Sequence, residues 1–234
     1  MVRGLATPRS CLVAVGVACL ALMIALGVSL RGKTDPTSLD SWGWDHLNSS
    51  RLFGKFHGSL LGGGSLIGDV SPMGSASTGL AVGIGLALAH HWRRENRLAL
   101  LCLLSPIVAL AMSDWALKHA FDRHLGTALA YPSGHTSVTS AVATVLVLLA
   151  YRRGGIRRAV LVAALSLVPI SAGVLFLLDA RLHYPTDVLG GLATGTGLAL
   201  LFAAWLFPRD ALVAGRPART VRRTPSAATD GVRV

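Results

Sequence analysis

Two histidines, an aspartate and a handful of cations stand out in a chain that is otherwise poor in charge. His183 and Asp187 lie four residues apart in the string His183-Tyr184-Pro185-Thr186-Asp187. Pro185 suits the first turn of a helix, which brings Asp187 round to the side of His183. A carboxylate there can accept a hydrogen bond from one ring nitrogen, fixing the tautomer and leaving the other nitrogen free to attack. His135 closes a second string, Pro132-Ser133-Gly134-His135. Ser133 and Gly134 would open a helix there, whose free backbone N–H groups and positive end attract an anion. His135, in the same turn, suits a general acid that protonates a leaving oxygen. Lys118 and Arg123 supply positive charge for phosphate oxygens. The set fits phosphoryl transfer. One carboxylate and two histidines with other duties are a poor set for Mg²⁺, so neither metal nor cofactor is expected.

Each residue alone has a duller reading. A histidine at a helix end is usually an interfacial polar group, and Pro-Ser-Gly is an ordinary turn. Lys118 can simply pair with Asp114 at i−4, while Arg123 and Arg181 can be plain loop charges. What favours a site is the joint occurrence of these groups, in order and on one face of the molecule.

That face is set by the elements that carry them. Among the 234 residues, 52% are apolar and only 14% charged, where about 25% is usual. Such a composition excludes a disordered chain, a coiled coil and a disulfide scaffold. The three cysteines, Cys11, Cys19 and Cys102, all sit in apolar runs and read as packing residues. A helix needs about 20 mostly apolar residues to cross a bilayer. Stretches 11–30, 75–89, 98–117, 136–151, 159–178 and 188–207 meet or approach that length, the second being rich in Gly and Ser. The first is longer than the apolar core of a signal peptide and lacks a clear cleavage site after it, so it reads as a span. The expected fold is all-α, a polytopic membrane bundle of six transmembrane helices over residues 11–207. A cytoplasmic N-terminus (1–10) precedes it and a disordered basic cytoplasmic tail (208–234) follows. In the outer loop 31–74, Leu52, Phe56 and Leu60 recur at helical spacing, pointing to a helix on the membrane surface that Gly62 would end.

The net charge of +11 raises the question of nucleic acid, and its distribution answers it. With the N-terminus inside, 15 lysines and arginines fall on the inner side and 7 on the outer. That is the positive-inside bias of a membrane protein, with no need for a nucleic-acid partner. Lys118, Arg123, Ser133–His135 and Arg181–Asp187 then all face outward.

At these residues the chain resembles the type 2 phosphatidic acid phosphatase superfamily, which shares its site with vanadium haloperoxidases. The family pattern is K-x6-R-P, then P-S-G-H, then S-R-x5-H-x3-D. Here P-S-G-H stands intact at 132–135, H-x3-D at His183 and Asp187, and Lys118 matches the first lysine. The chain departs twice: Leu125-Gly126 replaces Arg-Pro, and Phe176-Leu177 replaces Ser-Arg. Arg123 and Arg181 are the candidate stand-ins for the two missing phosphate-binding arginines. The resemblance implies a cell-membrane phosphatase acting at the extracytoplasmic face on a lipid phosphate or diphosphate, such as phosphatidate, phosphatidylglycerol phosphate or a prenyl diphosphate. His183 would be the nucleophile, Asp187 its orienting partner and His135 the acid and later the base. Lys118, Arg123, Arg181 and the Ser133–Gly134 backbone would bind phosphate. The rival reading is an inactive protein of the same fold that binds lipid or scaffolds. The sequence does not specify an oligomeric state.

Overall fold

The computed structural model describes residues 8–47 and 75–207. The surface helix expected around Leu52–Leu60 and the terminal segments 1–7 and 208–234 lie outside them. The order of elements is α1 (Pro8–Leu30), α2 (Ser38–His46), α3 (Ala76–Trp92) and α4 (Asn96–Ala111). A single π-turn, Met112–Leu117, leads into α5 (Lys118–Phe121). A minimal hairpin follows, β1 (His124–Leu125) with β2 (Ala128–Leu129), then α6 (Gly134–Asp179) and α7 (Pro185–Leu206).

Among the described residues, four helical runs are long and apolar enough to cross a membrane: Arg9–Leu30, Asn96–Phe121, Gly134–Asp179 and Pro185–Leu206. The third contains both of the spans expected at 136–151 and 159–178. Its helical path breaks at Gly154 and Gly155, and Gly155 has φ +67°, a left-handed conformation that glycine adopts without strain. Thr139 and Leu146 on one arm line the same groove as Ser166 and Ile170 on the other, so the arms fold side by side. The span expected at 75–89 is α3, whose 17 residues rise about 26 Å, a little short of a hydrocarbon core. A six-span count therefore treats the arms of α6 separately and includes α3.

The innermost helix is α7. Along it, Ser133, Thr136, Ser140 and Thr144 of α6 meet Asp187, Val188, Gly191 and Thr196 in ascending order, so this arm and α7 run parallel. Their N-termini therefore lie at one end of the bundle. Close approach depends on Gly191 and Gly195, where any Cβ would overlap Ser133, Thr136, Ser137 or Ser140 of α6. α1 runs antiparallel to α7: Arg9 donates to the carbonyl of Ala204 at 3.2 Å, and Gly16 and Leu20 meet Gly197.

Two apolar clusters fill the bundle. One joins Leu98, Leu101 and Cys102 of α4 to Val145, Leu149, Ala199 and Ala203. The other joins Met23 and Leu30 of α1 to Phe121, Tyr131 and Ala193 below the paired N-termini. Outward faces are apolar too, as at Val15, Leu22 and Val28 on α1 and Val160, Leu165 and Val168 on α6. Apolar surface on this scale suits lipid contact. At the end opposite the N-termini of α6 and α7, Arg97 donates to the carbonyl of Leu206, and Arg152 lies over the Phe207 ring. The structure thus separates the motif residues from the arginine-rich turns by the length of the bundle.

Candidate active site

Three backbone features bring the motif residues together. The first is the start of α7, where Tyr184 is the N-cap, Pro185 opens the helix and Asp187 reaches back. The Asp187 Oδ2 accepts from the Tyr184 backbone N–H at 2.9 Å, as an acidic residue in a first turn can. His183 stands one residue earlier and is 7% exposed. Its Nδ1 lies 3.6 Å from Asp187 Oδ2. The expected hydrogen bond between them is therefore not closed: the carboxylate oxygen is held by Tyr184, and the buried Nδ1 has no hydrogen-bond partner among the described residues. Catalytic hydrogen bonds often run long without substrate, and about half an ångström separates this contact from bonding range.

The second feature is the start of α6. Ser133 is its N-cap in extended conformation, but its hydroxyl makes no capping bond and is buried without a partner among the described residues. The Ser133 backbone N–H, expected to face an anion, instead donates to the Asp187 carbonyl at 3.0 Å. That bond fastens the two helix starts together. The amides left without an intrahelical acceptor by helix geometry are the next ones, on Gly134, His135 and Thr136. His135 is exposed, and His183, Lys118 and Asp114 are its charged or titratable neighbours.

The third is the π-turn at the end of α4, an irregularity that often occurs at functional sites. It presents Asp114, whose Oδ1 pairs with Lys118 Nζ at 2.7 Å. The pairing considered for these two residues on spacing alone is present. The carboxylate also lies against the start of α6: a Cβ on Gly134 would stand 2.7 Å from Asp114 Oδ1. Lys118 and the α6 start are thus adjacent, with Asp114 between them.

Arg123 is where the structure departs most from expectation. It is fully buried, wedged between the left-handed Asp122 that ends α5 and the hairpin, where its carbonyl accepts from Ala130. One terminal nitrogen donates to Asp187 Oδ1 at 2.6 Å and to Thr186 Oγ1 at 2.5 Å. The other donates to Asp40 Oδ2 at 2.7 Å. The guanidinium also lies over the Tyr184 ring, 4.1 Å from its centroid. With both terminal nitrogens held by carboxylates, Arg123 is a clamp on Asp187, not an open phosphate ligand. Arg181 is not brought beside it. Its backbone is left-handed (φ 52°), and its exposed guanidinium stacks 4.4 Å from the Trp44 ring centre.

Asp40, Thr186, Tyr184 and Trp44 were placed at this end by the topology but were not anticipated as side chains of the site. Asp40 is fully buried, and burial alone would raise its pKa. Hydrogen bonds from Thr186 and Thr37 outweigh that and hold it below the usual carboxylate value. The signal in the sequence is Thr37-Ser38-Leu39-Asp40, a helix-start pattern whose reciprocal Thr37–Asp40 bonds are present. Among the described residues, no group of three or more His, Cys, Asp or Glu is arranged to hold a metal.

A buried histidine beside a clamped carboxylate, a second histidine and a lysine at a helix start thus stand at one end of the bundle. The PAP2 superfamily is matched over residues 65–211, well over half of the chain. The chain belongs to the PAP2 superfamily. No curated protein and no solved structure matches it. Members of the PAP2 superfamily are phosphatases, so phosphoester hydrolysis is the general activity this membership supports. The matched stretch holds Lys118, Ser133–His135, His183 and Asp187, and the PAP2 fold here gathers them at one end of a membrane-type bundle. Asp40 and Trp44 lie before the matched stretch begins.

Proposed function

We propose that this PAP2 protein hydrolyses a lipid phosphate or diphosphate through a phosphohistidine. The observation that carries this reading is the placement of His183 Nδ1 3.6 Å from a carboxylate already held by Arg123 and the Tyr184 amide. Asp187 faces the Nδ1 side of the ring and leaves Nε2 as the nucleophile. In the first step an N–P bond forms at His183 as the P–O bond to the lipid breaks. His135 gives its proton to the departing oxygen. In the second step His135 takes a proton from water, the water oxygen bonds to phosphorus, and His183 leaves as the neutral ring. Lys118 and the amides of Gly134 and His135 offset the charge on the phosphoryl oxygens. For Lys118 to do so, its bond to Asp114 must yield to the incoming phosphate.

The lipid chain stays in the bilayer while the head group meets this end of the bundle. The positive-inside bias favours the outer face of the cell membrane for the site, with the arginine-rich turns inside. Phosphatidate, phosphatidylglycerol phosphate and prenyl diphosphates all suit such a site.

A second reading, a non-catalytic lipid-binding or scaffolding PAP2 protein, is favoured by one observation. With Arg123 committed to carboxylates and Arg181 to Trp44, Lys118 alone of the expected cations stands at the α6 start. The deciding measurement is phosphate release by purified protein across a panel of lipid phosphates, with His183→Ala alongside. Turnover that His183→Ala abolishes supports the phosphatase; absence of turnover on every substrate supports the scaffold.

A further inference from the structure

Helix α2 belongs to the site's end of the molecule although it precedes the PAP2-matched stretch, which starts at residue 65. It is seated there by three contacts. Gly43 lies against Pro185, so closely that a Cβ would come within 2.5 Å of the proline ring. The Trp44 ring packs 4.9 Å from the Tyr184 ring, and its Nε1 donates to the His183 carbonyl at 3.3 Å. Asp40 accepts from the Thr186 backbone N–H at 3.0 Å and hydroxyl at 2.7 Å through Oδ1, and from Arg123 through Oδ2.

The last contact links three charged groups into a chain: Asp40 holds Arg123, and Arg123 holds Asp187. All three are fully buried, where an unpaired charge is costly. Asp40 touches both Arg123 and the first turn of α7, so it fixes the guanidinium relative to the helix that carries Asp187. Without that carboxylate, Thr186 loses an acceptor twice over and Arg123 keeps one anionic partner where it had two. The Arg123–Asp187 pair is then no longer fixed to α2 and can shift as a unit, and Asp187 already stands just beyond bonding range of His183.

We propose that Asp40 is a positioning residue for the reaction, and that α2 is a strap which aligns the nucleophile from outside the family's common core. Asp40 does not touch substrate. It acts through Arg123 and Thr186 on Asp187, and through Asp187 on His183. Misplacing reacting groups by about an ångström costs on the order of a hundredfold in rate, so a distant carboxylate has leverage on turnover. The inference rests on the phosphatase reading.

The test compares wild type, Asp40→Asn, Arg123→Gln and the double variant, using phosphate release from a short-chain lipid phosphate in detergent. Thermal unfolding of each sample confirms that the protein is folded at the assay temperature. Asp40→Asn is expected to lower kcat by at least about tenfold while KM stays within about threefold, because Lys118 and the α6 amides are untouched. The double variant should lose no more than the worse single one, because both residues act through one carboxylate. If Asp40→Asn does not fold, the double variant, which removes both charges together, carries the same kcat and KM criterion. A folded variant with wild-type kcat, a rise in KM alone, or losses that multiply would each overturn the strap role. Turnover by wild type with Asp40→Asn unimpaired removes only this proposal, whereas no turnover by wild type removes the phosphatase reading and this proposal with it.

Discussion

Replacing Arg123 by methionine keeps most of the side chain's volume and removes its charge. Asp40 and Asp187, which now meet the guanidinium at 2.7 and 2.6 Å, would be left buried without their cation. Removing one partner of a buried ion pair costs about 3–5 kcal/mol, and here a single cation serves two anions, so the upper part of that range applies. For a domain of this size about 1 kcal/mol corresponds to roughly 2–4 °C, which puts the loss in melting temperature at about 10 °C or more. The assay is thermal unfolding in detergent, repeated from pH 7 down to pH 3. In wild type, Asp40 has a pKa lowered from 3.8 by its hydrogen bonds from Thr186 and Thr37, which outweigh the opposing effect of burial. A depressed acid of this kind contributes stability that is fully present above its unfolded value and is lost as pH falls through the folded one. Wild type should therefore hold its melting temperature down to about pH 5 and lose it below about pH 4. The variant should behave oppositely over the same interval. Protonating one of two facing carboxylates relieves their repulsion, so its deficit should shrink as pH falls from 7. A variant melting within about 2 °C of wild type at pH 7, or a deficit that does not change with pH, would refute the account of Arg123 as the clamp on two buried carboxylates.

Gly134→Ala places a Cβ 2.7 Å from Asp114 Oδ1, at the point where Lys118 and the α6 amides converge. It should reduce kcat/KM by at least about tenfold, and the added variant Asp114→Ala should recover part of that loss; no effect of Gly134→Ala would mean the α6 start does not meet the phosphate. Sidedness is checked with single cysteines at Thr127 and Ala218 in a background lacking Cys11, Cys19 and Cys102. An impermeant maleimide on intact cells should label the first and spare the second, and the reverse pattern would move the site to the inner face.

The reach of the sequence differs from element to element. Spans rich in Leu, Val and Ala were legible because transfer from water depends on composition over about 20 residues. The two arms of α6 were read as separate spans, and the helical path does break between them at Gly154–Gly155. The boundary of α3 was close, its start fixed by Ser75, whose side chain accepts from the Thr78 amide. Local chemistry was legible too, as at Pro185 opening α7 and at Lys118 one turn from Asp114. What spacing could not show was which partner wins when several compete for one group. The Ser133 amide had two possible acceptors, an incoming anion and a neighbouring helix. The parallel seating of α6 on α7 over Gly191 and Gly195 gives it to the Asp187 carbonyl.

Arg123 shows the same limit on a larger scale, because its fate depends on a residue 83 positions away. A guanidinium near a phosphate site is ordinarily assigned to phosphate, since planar bidentate pairing suits both. That assignment fails once a buried carboxylate is closer and permanently present. Asp40 reaches Arg123 only because α2 folds back onto Pro185 over Gly43. Thr37-Ser38-Leu39-Asp40 announces a helix start, but nothing in it announces where the helix docks. The two family arginines absent from their usual positions therefore bear on different things. On the proposed reading, a phosphate site short of those charges depends on Lys118 and the helix amides for binding, while Arg123 serves alignment. Charge lost from substrate binding and charge spent on holding Asp187 predict different kinetic signatures, the first in KM and the second in kcat, and the variants at Asp40 and Arg123 separate the two.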